Sequence, residues 1–472
     1  MQIFDTLSRA KKPLPKPKTG LRLFVCGPTV YDYSHIGHAR TYVIFDAFVK
    51  YLRSQKIKVF YLQNITDVDD KIIARAKERK ISPLALARKL ENKYLADAKK
   101  LKITSVDKYA RASQHIKEIQ KQIAALIKKG FAYQAGSGVY FNVKKFKDYG
   151  KLSRQNLEEL KSGTRIESEK DKKNVLDFAL WKNYQDVIRE SEKKNFIVKD
   201  GEPLWNSPWG WGRPGWHIED TAITEKYFGP QYDIHGGGND LKFPHHEAEI
   251  AQQEAASGKK PLVKIWMHTG FLLVEGEKMS KSLNNFITID DFLKNHEPEI
   301  LRLMILSNHY RSPFNYSEQL AEQTKQALKT VEDFINKLEF AIKMRGKRKN
   351  EEVKIKIQNY KKELEDSLHD DFNTPAALAI IFRLISDTQK NVWALSPKTA
   401  AEIAKFIKSC LKIFEITFES PKIPLKIRAL SKQREMYRRN KQFTPADALR
   451  NQIEVLGYFV EDTPFGPLIQ KK

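Results

Sequence analysis

The sequence predicts an α/β fold built on a parallel sheet, followed by an α-helical bundle and a small basic C-terminal domain. Three observations carry this. Strand-like and helix-like patterns alternate near the N-terminus, the alternation returns after residue 212, and helical periodicity takes over after about 317. The first alternation starts with the apolar run Leu-Arg-Leu-Phe-Val-Cys-Gly at 21–27, a short buried strand ending at Gly27. From His38 to about Ser54, Tyr42, Phe45, Phe48, Val49 and Leu52 recur at helical spacing. Residues 58–65 predict a second strand, so strand, helix and strand form a βαβ unit and hence a parallel sheet.

Residues 82–130 read as helical and basic. The mixed stretch 135–200 reads as an insertion. A second α/β block spans about 212–283, with an apolar strand before the glycines at 236–238, a helix near 245–256 and a strand at 262–268. From about 317 to 415 the pattern is helical, broken by the charged stretch 344–356. Asn373-Thr374-Pro375 is a helix start, with a capping residue just ahead of Pro. The segment 421–472 holds 11 Lys+Arg against 5 Asp+Glu. The domain expectation is therefore a catalytic domain over 1–310 with an inserted segment at about 115–200, a bundle over 311–420 and a small domain over 421–472.

Composition narrows the function. In 472 residues, 83 Lys+Arg stand against 58 Asp+Glu, a net charge of +25 that suits a polyanionic partner. With 41% hydrophobic residues the chain can bury real cores, which excludes global disorder. No apolar run approaches the roughly 20 residues of a spanning helix, so no membrane role is expected. The first residues lack the apolar core of a secretory signal. Two distant cysteines, Cys26 and Cys410, make no disulfide framework and fit a reducing cytoplasm.

Histidine is the most informative residue. Five of eleven fall within 217–268 (His217, His235, His245, His246 and His268), where an even spread would place about one. His35 and His38 flank Ile36-Gly37 in the first strand-to-helix turn, where parallel sheets and helix N-termini receive ligands. Gly37 leaves room for a base or phosphate to approach the backbone. Lys278-Met279-Ser280-Lys281-Ser282 puts two lysines in a loop, suited to a triphosphate whose charge moves onto departing pyrophosphate.

Together the HIGH and KMSKS segments resemble the class I aminoacyl-tRNA synthetases. The runs 24–40, 64–72, 212–219, 233–251 and 278–286, with LSRQ at 152–155, NYSEQL at 315–320 and DDFNTPAA at 370–377, resemble the cysteinyl-tRNA synthetase family in order and over nearly the whole chain. The resemblance implies a Rossmann-like catalytic domain and a C-terminal anticodon-binding domain. It implies ATP, L-cysteine and tRNA(Cys) as substrates, Mg²⁺ with the ATP, and one Zn²⁺ that binds the substrate thiolate. Its catalytic group falls on His35, His38, Lys278 and Lys281. ATP binding falls on His35, His38, Gly236, Gly237, Gly238, Asp240 and Lys281, and cysteine binding on Gly27, Thr66 and Trp216. The anticodon positions are Arg438, Phe443 and Asp447. Phe443 stands where the family usually has Trp, and either ring can stack on a base.

Three metal ligands map onto Cys26, His245 and Glu249. At the fourth, where the family has a second cysteine, this chain has Asp220. Aspartate is an ordinary zinc ligand and keeps the donor set anionic. A site made harder in this way selects less sharply for zinc. The other readings are a cysteine ligase acting on a small amino-sugar acceptor, which would lack the C-terminal tail, and a non-catalytic tRNA-binding paralogue. No editing domain is evident, and a monomer in the cytoplasm is expected.

Overall fold

The structure, a computed structural model, describes all residues except 156–170, 185–193, 280–282, 284, 345–354 and 419–421. It divides into two compact units. The first comprises Met1–Pro298, Asn308–Tyr316 and Asp370–Phe372. Its centre is a five-stranded parallel sheet. In spatial order the strands are Val263–Thr269, Tyr232–Gly238, Leu21–Val25, Val59–Ile65 and Lys108–Arg111. Chain order reverses between Leu21–Val25 and Tyr232–Gly238, and open α/β sheets bind ligands at such a switch point. Register there is tight: His235 lies opposite Phe24 and Gly236 opposite Val25.

The apolar periodicity of the first helix sets its packing. It runs Ile36–Ser54 and buries Tyr42, Phe45, Phe48, Val49 and Leu52. It starts two residues earlier than its periodicity indicated, because the turn supplies its own cap. The His35 side chain accepts from the Gly37 N–H, and the His38 side chain from the His35 N–H. Asp46, buried on this helix, accepts from the Thr104 and Ser105 N–H groups at 3.0 and 3.1 Å and from Ser105 Oγ at 2.7 Å. Asp46→Ala strands two amide donors, so we expect a loss of about 2–4 kcal/mol, read as a lower urea midpoint at unchanged m-value.

The stretch expected to be helical through residue 130 contains a strand, Lys108–Arg111, which pairs in parallel with Val59–Ile65 at the sheet edge. Only four residues long, it carries too little pattern to stand out. The helix that follows, Ile116–Lys128, packs against the helices Ile218–Phe228 and His245–Ser257. It therefore belongs to the parallel-sheet core. The insertion is an antiparallel sheet whose described strands run from Ala132 to Pro214, later at both ends than 115–200.

The second unit comprises Glu299–Ser307, Ser317–His369 and Asn373–Lys472. Its helices include Glu318–Lys343, Ile357–His369, Thr374–Gln389 and Pro397–Ile413. Asn373 caps the third of these, accepting from the Ala376 N–H. Most of the charged stretch 344–356 lies outside the described residues. The C-terminal segment is the helix pair Leu425–Arg439 and Phe443–Val455 with a hairpin, Tyr458–Thr463 and Gly466–Lys471. Ile427, Ile453 and Val460 form its small core. Buried Arg434 adds a bidentate pair to Asp462, at 2.7 and 2.9 Å. Cys410 is buried, and burial pushes its thiol up to about 12, as for an inert apolar side chain.

Candidate active site and metal centre

A cavity of about 350 Å³ opens at the carboxyl ends of the central strands. Cys26, Gly27, His35, His38, Thr66, Trp216, Gly238, Asp240, His245, Asp220 and Lys278 all line it. Residues drawn from five separate stretches of sequence thus meet at one place. Lys281 lies outside the described residues. A second cavity, about 540 Å³, shares Thr29, Lys71 and Trp216 with the first.

Two residues assigned to ATP, Gly236 and Gly237, do not line the cavity. A Cβ on Gly236 would sit 2.3 Å from the Phe45 ring, and one on Gly237 2.8 Å from the His246 ring. These glycines make room for the first helix and for the histidine cluster. Of the stretch 236–240, the ATP positions that face the opening are Gly238 and Asp240.

His35 and His38 stack with ring centroids 3.8 Å apart. Burial holds both neutral: His35 is lowered to about 2, with His38 nearby adding to the effect, and His38 to about 4. Each uses Nδ1 as an acceptor for a backbone N–H. The proton then sits on Nε2, and each ring keeps one N–H to donate.

Below the cavity lies a buried basin of donors. Cys26 Sγ is 3.3 Å from Asp220 Oδ2 and 3.8 Å from Glu249 Oε1. His245 Nε2 is 3.0 Å from Asp220 and 3.3 Å from Glu249. His245 and Glu249 reach the same point because they stand four residues apart on one helix. The donor atoms of Cys26, Asp220, His245 and Glu249 all lie within 4.8 Å of one another. Asp220 Oδ1 and Glu249 Oε2 are buried without a hydrogen-bond partner. Burial first, then Glu249 and Asp220, pushes the Cys26 thiol well up, while burial and Asp220 push Glu249 up. A thiol and two carboxylates, crowded with orphaned lone pairs, fit a divalent cation.

A second donor set overlaps the first. Cys26, His235, His246 and Glu249 satisfy the same closeness. His235 and His246 place Nε2 at 3.4 and 3.1 Å from Cys26 Sγ. Their Nδ1 atoms are held by Tyr232 Oη at 2.7 Å and His268 Nε2 at 2.8 Å, the outer partners typical of ligating imidazoles. Only the density of histidines signalled this set in the sequence. The rest of that cluster is connected too: His217 Nδ1 lies 2.8 Å from His245 Nδ1, and Trp216 stacks on His245 at 4.2 Å.

In the second unit, Phe443 is 56% exposed at the head of its helix, and Arg438 Nη2 lies 3.4 Å from Asp462. Asp447 stands one turn further along the Phe443 helix.

A parallel sheet with a switch point, a capped HIGH helix and a lysine-bearing loop at one cavity define a class I aminoacyl-tRNA synthetase. The chain matches the family described as tRNA synthetases class I (C) catalytic domain over residues 14–326, and the DALR domain over 363–419. It is 44% identical to a cysteine–tRNA ligase of Thermoplasma volcanium, covering 98% of each chain. It is 41% identical to that of Thermococcus onnurineus, over 99% of this chain and 98% of the relative. With that of Caldicellulosiruptor saccharolyticus it shares 40% over the whole of both. Among solved structures, Mycobacterium tuberculosis methionyl-tRNA synthetase in complex with methionyl-adenylate shares the fold at TM-score 0.60 and 14% identity, over 84% of this chain and 89% of that one. The chain belongs to the cysteine–tRNA ligase family. No described helix is long and apolar enough to cross a membrane.

Proposed function

We propose that this chain activates L-cysteine with ATP and transfers it to the 3′-terminal ribose of tRNA(Cys). The observation that carries this is the meeting, in one cavity, of the HIGH helix and a thiol–carboxylate–imidazole basin. The cysteine carboxylate attacks the α-phosphorus, pyrophosphate leaves, and a ribose hydroxyl then attacks the mixed anhydride and releases AMP. No covalent enzyme intermediate is needed. His35 and His38 donate N–H groups to the phosphates, Lys278 and Lys281 supply positive charge, and Mg²⁺ travels with ATP. Asp240 and Gly238 meet the adenosine. Gly27, Thr66 and Trp216 hold the amino acid. Cys26, Asp220, His245 and Glu249 would hold Zn²⁺, which when bound supplies a thiolate-seeking Lewis acid that serine's hydroxyl satisfies poorly. The second cavity offers Tyr149, Phe178 and Trp216 beside Lys71, Lys182 and Arg213, a lining suited to a single-stranded RNA end. Cysteine-dependent ATP–pyrophosphate exchange, with elemental analysis of the protein, tests the reading. Exchange supported equally by serine, or absent with cysteine, would sink it.

The domain over 421–472 takes the anticodon, with Arg438, Phe443 and Asp447 as its contacts, and the enzyme works as a cytoplasmic monomer. Deleting 421–472 should leave pyrophosphate exchange within about twofold while tRNA charging falls, and tRNA affinity should lose salt dependence. Equal charging efficiency with and without the tail would rule this out.

A further inference from the structure

The buried acid next to Asp220 has no role in the site described so far. Glu219 is 1% exposed, and its hydrogen-bond partners among the described residues are uncharged. Its partners are the Thr66 hydroxyl, which donates to Oε1, and Asn64 Nδ2 at 3.4 Å from the same oxygen. Asn64 is itself oriented, because its Oδ1 accepts from the Gly27 N–H. Its amide nitrogen therefore faces Glu219 and, at 3.3 Å, Thr66 Oγ1.

The consequence falls on Thr66, which lines the cavity. A threonine hydroxyl has one proton and two lone pairs. Glu219 takes the proton, and Asn64 takes one lone pair in a long contact. What Thr66 still offers is a lone pair, so toward the cavity it acts as an acceptor, backed by a carboxyl group. Zwitterionic cysteine carries three polar groups. The thiol belongs to the basin of Cys26, and the carboxylate must face the phosphates near His35 and His38. Only the α-ammonium is a cationic donor, and it matches a hydroxyl whose own proton is already committed to Glu219.

We propose that Glu219 is a positioning residue that fixes Thr66 as the acceptor for the substrate's α-ammonium, with Asn64 tying both to the Gly27 backbone. The proposal rests on cysteine activation at this site. It assigns to the pair Thr66–Glu219 the selection of an amino acid over a thiol acid of the same length.

The test compares L-cysteine with 3-mercaptopropionate, which lacks only the amine, by calorimetric titration of the full-length, zinc-loaded protein. The parent should prefer cysteine by about tenfold or more, the scale of a hydrogen bond to a charged group. In Glu219→Leu and in Thr66→Val this preference should fall to within about threefold of unity, while affinity for 3-mercaptopropionate stays within about threefold of the parent. Because Glu219 acts through Thr66, the double variant should lose no more preference than Thr66→Val alone. Variants that keep the preference, or that weaken both ligands equally, overturn the proposal. Should Glu219→Leu fail to fold, Thr66→Val decides by the same criteria. A parent that binds neither ligand overturns the cysteine-activation reading itself, and the proposal with it.

Discussion

Lys281→Ala should lower cysteine-dependent ATP–pyrophosphate exchange by about 10²-fold or more, with cysteine affinity nearly unchanged. The reason lies in what the two histidines cannot do. Burial keeps His35 and His38 neutral at any physiological pH, lowered to about 2 and about 4. As neutral rings they donate hydrogen bonds but carry no charge. In the transition state, negative charge gathers on the pyrophosphate, and the compensating charge must come from elsewhere. Lysine is the available cation. Lys278 lines the cavity with Met279. Its strand, Glu277–Lys278, pairs with Leu272–Val274, which in turn pairs with Phe314–Tyr316, so the stem of the lysine loop is anchored. Lys281 is the second charge three residues on. An interaction that strengthens only as charge moves affects rate rather than binding. Exchange at the parental rate in Lys281→Ala would show that the phosphate role is wrong.

How much of this was legible in the sequence depended on where each signal resides. The parallel core could be read because its strands are apolar on both faces and its first helix repeats at 3.6 residues, as Phe45 and Phe48 show. The HIGH helix could be placed because a strand led into it. The edge strand Lys108–Arg111 could not, since four residues with one buried side chain carry no period. The roles of Gly236 and Gly237 were also out of reach. A glycine beside a nucleotide and a glycine against Phe45 look alike until the neighbour is known. His235 and His246 stood out as part of a dense cluster, but their convergence on Cys26 depends on three elements meeting, which composition does not encode. Glu219 gave no sign at all, because beside Asp220 it reads as one more acid in a helix's first turn.

Asp220→Ala should lose the metal and raise the KM for cysteine, whereas Asp220→Cys should keep both metal and activity. Asp220 stands four residues after Trp216, at the position where the sequence resemblance implies a second thiolate. Its Oδ2 is within 3.3 Å of Cys26 Sγ and 3.0 Å of His245 Nε2, and its Oδ1 is buried and unpartnered. A buried carboxylate with one oxygen on two neighbouring donors and the other on nothing is costly unless a cation completes it. Alanine removes a donor outright, so zinc affinity should fall by more than the roughly 10–100-fold that loss of an outer partner costs. Cysteine restores a thiolate, with a Zn–S bond of about 2.3 Å against about 2.0–2.2 Å for Zn–O, a change that the shorter side chain nearly offsets. The parent, with its harder donor set, should also discriminate less sharply than Asp220→Cys between Zn²⁺ and Co²⁺ or Mn²⁺. The overlapping set sharpens the test, because Cys26 and Glu249 belong to both. If Asp220→Ala bound one equivalent of zinc as tightly as the parent, Asp220 would be a bystander and the metal would rest on Cys26, His235, His246 and Glu249. His246→Ala would then release the metal and Asp220→Ala would not, and elemental analysis of the two variants separates the alternatives without any measurement of activity.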